Sequence, residues 1–120
     1  MGEAIRESLI AKKSYLFALE VIKITKFLEK SYENIVIIKQ IIRSATSVGA
    51  NIEEALGSNS RKEFIHSMNV AKKEARETIY WLRLLSDLNP KLKGEFEVLF
   101  EENEQIIKIL TKIVKTSSKT

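Results

Sequence analysis

QIIRSATSVGANIEEAL, residues 40–56, decides how the rest of the chain is read. Its apolar residues continue a series that begins just upstream, Ile38, Ile42, Ala45, Gly49, Ile52 and Leu56. The steps of four and three are the period of an α-helix. The β-branched run Ile35–Ile38 favours a strand locally, but the longer series decides for helix. Small residues crowd this helix: Ser44, Ala45, Ser47, Gly49 and Ala50. Gly49 costs about 1 kcal/mol relative to alanine in a helix interior, so a second helix is expected to lie close against it. Arg43, Ser47 and Asn51 follow at i, i+4 and i+8, with Glu54 three further on, and form a polar stripe. This stripe has two readings. It is a solvated face, or it is a seam between helices or subunits in which Arg43 reaches Ser47 and Glu54 while Asn51 fixes register.

Upstream, a first helix is expected from Glu3 to Glu29, with one stripe of Phe17, Val21, Ile24 and Leu28. A second stripe, Tyr15, Ala18, Ile22 and Thr25, lies beside it, widened by Leu16, Leu19 and Phe27. One stripe suffices to face a core, so the extra width suggests a second packing surface. Ser31 or Asn34 can cap the next helix, which spans Asn34–Leu56. Downstream, Gly57–Ser60 reads as a loop, with Gly57 suited to the helix end and Ser60-x-x-Glu63 forming a capping box. The third helix, Arg61–Leu88, carries the heptad seam Phe64, Met68, Ala71, Ala75, Thr78, Leu82 and Leu85, whose small middle can receive the small face of the second helix. Asn89 and Pro90 stop it. A fourth helix starts near Lys93 or Glu95 and carries Phe96, Leu99, Asn103, Ile106, Leu110 and Ile113. The reading is all-α: a single antiparallel up-down-up-down four-helix bundle over residues 1–115, followed by a flexible tail, 116–120.

The chain has 120 residues, enough for one core, and its four glycines and one proline leave room for few turns. It contains no cysteine, which removes disulfides and thiolate chemistry. It has neither an apolar run of membrane-spanning length nor the pattern of a signal peptide, so a cytoplasmic protein with no membrane partner is expected. The net charge of +4 is thinly spread, since the last ten residues hold three lysines and no acid. That footprint is weak for nucleic acid unless an oligomer repeats it.

Catalytic chemistry is hard to find. His66 is the single histidine and lies in Glu63-x-x-His66, the spacing used by di-iron bundles. Such a site needs a second copy and further inward glutamates, so no metal and no other cofactor is expected. Glu53 and Glu54 project about 100° apart on a helix and make no acid–base pair. No phosphate loop or nucleophile elbow is present, and the chain is read as a non-enzyme. Lys62, Lys72, Lys73, Arg76 and Arg83 form a candidate basic band on the third helix, the nucleic-acid-binding residues if there is such a site. Glu74 and Glu77 interrupt it, so ion-paired solvated surface is the competing reading. Tyr80 and Trp81 sit beside the heptad seam. They read as packing aromatics, and an exposed Trp81 would mark an interface.

The segments RSATSVGANIEEA, GSNSRKEFI and AKKEARETIYWLRLL resemble the four-helix-bundle proteins encoded in 23S rRNA intervening sequences. Arg43, Ser47, Val48, Asn51, Ile52, Glu54, Lys62 and Phe64 stand at matching positions, while Ala55 departs from the glycine usual there. The chain is also similar to the accessory variability determinant of diversity-generating retroelements, a bundle that acts with a reverse transcriptase and binds nucleic acid. The resemblance implies a homopentamer and, as partners, RNA or DNA or a reverse-transcriptase-like protein. Two functions follow as expectations: an oligomeric scaffold that binds nucleic acid or a nucleic-acid enzyme, and a purely protein-binding module.

Overall fold

The computed structural model describes residues 2–119, with side chains from residue 9 onward. Four helices appear in order: α1, Gly2–Thr25; α2, Tyr32–Leu56; α3, Arg61–Leu88; and α4, Lys93–Ser118, preceded by a 3-10 turn, Pro90–Leu92. Each packs on its sequence neighbours, and α1 also packs on α4, which closes an up-down-up-down bundle. No described helix is long and apolar enough to cross a membrane.

The helix ends follow from local chemistry. α1 stops four residues before the expected Glu29, because Lys26, Phe27 and Leu28 donate three residues back rather than four. The Lys30 ammonium donates to the Thr25 carbonyl at 2.8 Å, placing a cation at the negative end of the dipole. Ser31, not Asn34, caps α2 by accepting from the Asn34 amide. Asn34 is instead buried and exchanges side-chain hydrogen bonds with Asn89, Nδ2 to Oδ1 at 3.1 Å and 3.0 Å. The same amides donate to the Glu29 and Leu85 carbonyls, so one pair fastens the two turns at that end. Gly57 closes α2 at φ −92°, a conformation that does not require glycine. Ser60 accepts from the Glu63 amide, and Glu63 Oε2 accepts from the Asn59 amide, the expected reciprocal cap shifted by one residue at its outer end. α4 continues through Thr116, Ser117 and Ser118, where a tail is expected from the sequence; Thr120 lies outside the described residues.

The core face of α3 is the expected seam from Met68 to Leu85, with Phe64 half-buried at its edge. That of α4 is the expected seam throughout. In α1 the stripe Phe17, Val21 and Ile24 is buried, extends back through Ser14 to Ile10, and is continued past the helix end by the buried Leu28. α2 departs from expectation: its buried residues are Ile41, Ser44, Ala45, Val48, Ile52 and Ala55, with Asn34 at its start. The core therefore lies to one side of the Ile38–Leu56 series, and Gly49 turns toward Ser14 of α1. One buried polar side chain comes from each helix at mid-bundle, Ser14, Ser44, Thr78 and Asn103. Ser44 Oγ and Thr78 Oγ1 share a hydroxyl–hydroxyl hydrogen bond of 2.8 Å that joins α2 to α3.

Candidate nucleic-acid interface

The basic band forms one face of α3. Lys62, His66, Asn69, Lys73, Arg76, Tyr80, Arg83 and Asp87 step by four and three along the helix, and all are exposed. At 100° per residue, Lys62, Lys73, Arg76 and Arg83 fall within an arc of about 80°, on the side away from the buried seam. Lys72 lies about 20° beyond them by the same step and is half-buried. From Lys62 to Arg83 the row runs about 32 Å at ~1.5 Å per residue.

The two carboxylates that interrupt the band in sequence do not interrupt it in space. Glu74 and Glu77 turn toward α2, where Arg43 holds both: Nη1 meets Glu74 Oε2 at 3.1 Å, and Nη2 pairs with Glu77. Glu77 Oε2 also accepts from the Trp81 indole N–H at 2.9 Å. Among the described residues no ion pair engages Lys62, Lys72, Lys73, Arg76 or Arg83.

Tyr80 lies beside the heptad seam, where the sequence places it, but is more open than a packing aromatic need be. It is 55% exposed in the middle of the row, with Arg76 one turn before it and Arg83 one turn after. Its exposure is legible in its step from Arg76 and Lys73, but its apolar ring argues for packing. Trp81 packs against the core and is half-buried, so it lacks the exposure expected of an interface marker.

Within the chain, the polar stripe of α2 does not form one bonded seam. Arg43 leaves the helix for α3 and bonds neither Ser47 nor Glu54; its remaining partner on α2 is Gln40, at 3.2 Å. Asn51 Nδ2 donates to the Ser47 carbonyl, one turn back on its own helix. Glu54 is exposed and lines an open polar depression of about 690 Å³ with Lys62, Glu63 and His66. No group of three residues able to hold a metal ion occurs among the described residues.

Apolar surface remains open elsewhere. Leu9, Tyr15 and Leu16 of α1 are exposed, and Tyr15 borders a groove of about 300 Å³ lined also by Ala11, Ser14, Ala18 and Ile22 of α1 with Thr46, Gly49 and Ala50 of α2. A second groove, about 520 Å³, holds Ile24, Phe27, Val98 and Leu99 within a rim of Glu20, Lys23, Glu95 and Glu102.

Residues 6–112 match the family model described as 23S rRNA-intervening sequence protein. A crystal structure of a protein of unknown function from the S23 ribosomal protein family of Bacteroides thetaiotaomicron is 39% identical to this chain. It superposes with a TM-score of 0.84, over 92% of this chain and 98% of that one. Among curated proteins, no relative matches.

Proposed function

The chain belongs to the 23S rRNA-intervening sequence protein family, and from that premise we propose that it is a non-catalytic, oligomeric scaffold that binds nucleic acid along the outer face of α3. The observation that carries this reading is the exposed row Lys62, Lys73, Arg76 and Arg83, whose intervening carboxylates are turned onto α2 and held by Arg43. Cations left unpaired in such a row displace counterions from a phosphate backbone, the main source of affinity that is indifferent to sequence. One chain carries only +4, whereas five copies, the number the family resemblance implies, would carry about +20. The exposed side of α1 and the groove it shares with α2 are the surfaces on which copies would meet.

The test is a gel shift with a structured RNA at two salt concentrations. It compares the unmodified protein with Lys72→Glu, Lys73→Glu and Arg76→Glu combined, after assembly of the variant has been checked. The variant is expected to bind much more weakly. On a duplex, the slope of log K against log salt should flatten by about 0.9 for each phosphate that the variant no longer neutralises. Equal affinity and slope would reduce the band to solvated surface. A protein-only role, with a reverse-transcriptase-like enzyme among the partners, is the second reading. It is favoured by the acid-rimmed groove around Phe27 and Val98, and it takes over if the unmodified protein binds no nucleic acid at low salt.

A further inference from the structure

We propose that Tyr80 is a stacking platform for an unpaired nucleobase, so that the ligand of the α3 face is a single strand or an open loop. This inference rests on the nucleic-acid reading above and narrows it to a ligand class. A tyrosine that serves packing alone would turn inward, yet Tyr80 is 55% exposed on the face farthest from the core. Of the exposed aromatic residues, it is the one flanked one turn away on each side by an arginine, Arg76 and Arg83. Phe27, by contrast, is more exposed but sits within a rim of glutamates.

The ring is also held in place. Trp81 meets it edge to face, with centroids 5.0 Å apart and planes at 73°. The Trp81 indole is tied to Glu77, and Glu77 to Arg43 of α2. A stacking surface fixed in advance loses little freedom when a base settles on it. The flanking guanidiniums supply phosphate contacts and can themselves stack on bases. In a duplex the faces of the bases already lie against each other, so a fixed ring offers nothing there. An unpaired base has a free face, and every base has one, so the platform needs no sequence readout.

The experiment uses the full chain with three probes: an unpaired oligouridine, an unpaired oligothymidine and a blunt duplex of the same length. Trp81 is the single tryptophan and lies against Tyr80, so its emission should change when an unpaired strand binds. Tyr80→Ala should lose about ten- to hundred-fold in affinity for the unpaired strands and stay within about two-fold on the duplex, which offers the ring no free base face. Tyr80→Phe should retain binding, and Tyr80→Leu, which keeps apolar bulk without a π face, should behave as the alanine variant does. Circular dichroism confirms that each variant is folded. If Tyr80→Ala binds the unpaired strands as tightly as the unmodified chain while the charge-reversed variant does not, stacking is overturned and the basic face stands. If neither change matters, or the unmodified chain binds none of the probes, both readings fall. Losses at Tyr80 that are equal on strand and duplex also overturn the stacking role.

Discussion

Asn103 sits wholly inside the bundle and uses half of its amide. Nδ2 donates to the Ala75 carbonyl at 2.9 Å, while Oδ1 is the one buried side-chain polar atom without a partner among the described residues. A hydrogen bond of this kind contributes about 1 kcal/mol, and an unsatisfied buried acceptor costs about 1–3 kcal/mol. The Ala75 carbonyl lies inside α3 and keeps its place in the helical ladder if Asn103 is removed. Asn103→Leu, close in shape and apolar, is therefore expected to raise stability by about 1 kcal/mol. Asn103→Asp should lower it by several kcal/mol, because a carboxylate there has no cation to pair with. Urea melts measure both. A loss of more than about 1 kcal/mol in the leucine variant would show that Oδ1 is bonded, for instance to an internal water.

At the scale of single helices, α2 is the instructive one. From the sequence, Gly49 is expected to permit a close approach, but a Cβ placed there would meet Ser14 Oγ at 3.6 Å, an ordinary contact. Gly49→Ala should therefore stabilise the bundle by about 0.5–1 kcal/mol through helix propensity, a rise readable in a thermal melt. An equal loss would mean that this surface is more tightly occupied than the single chain shows. The seams of α3 and α4 are legible in the sequence because charged and polar residues together fill most other positions and leave one dominant apolar stripe. In α2, Ile35, Val36, Ile37, Ile38, Ile41 and Ile42 point in every direction, so periodicity alone cannot choose the centre of the buried face. The site divides the same way. The five cations of the basic band are legible as a band. That Glu74 and Glu77 leave it is not, because Arg43, which draws them onto α2, stands 31 positions before Glu74. Local sequence carries no sign of a partner that distant.

Over the whole molecule, about 49 by 22 by 18 Å, charge is divided. The outer face of α3 is basic, and exposed Glu95, Glu97, Glu101 and Glu104 make the first half of α4 acidic. The exposed Leu9, Tyr15 and Leu16 of α1 add apolar surface of the kind that marks contacts between proteins. Light scattering at micromolar concentration is expected to give a multiple of the 13.7 kDa chain mass, with a pentamer as the specific expectation; a monomer would overturn the assembly. The amide exchange between Asn34 and Asn89, 55 positions apart, bears on the molecule as a path rather than as a solid. It joins the start of α2 to the end of α3, while the 57–60 loop joins their other ends covalently, so these two helices form a closed cycle. Because the entropy of closure rises only with the logarithm of length, so long a cycle is little harder to close than a short one. α1 and α4 then leave the cycle as two arms from a single knot. Both arms pack back along it, and Arg76, Tyr80 and Arg83 all ride on the cycle.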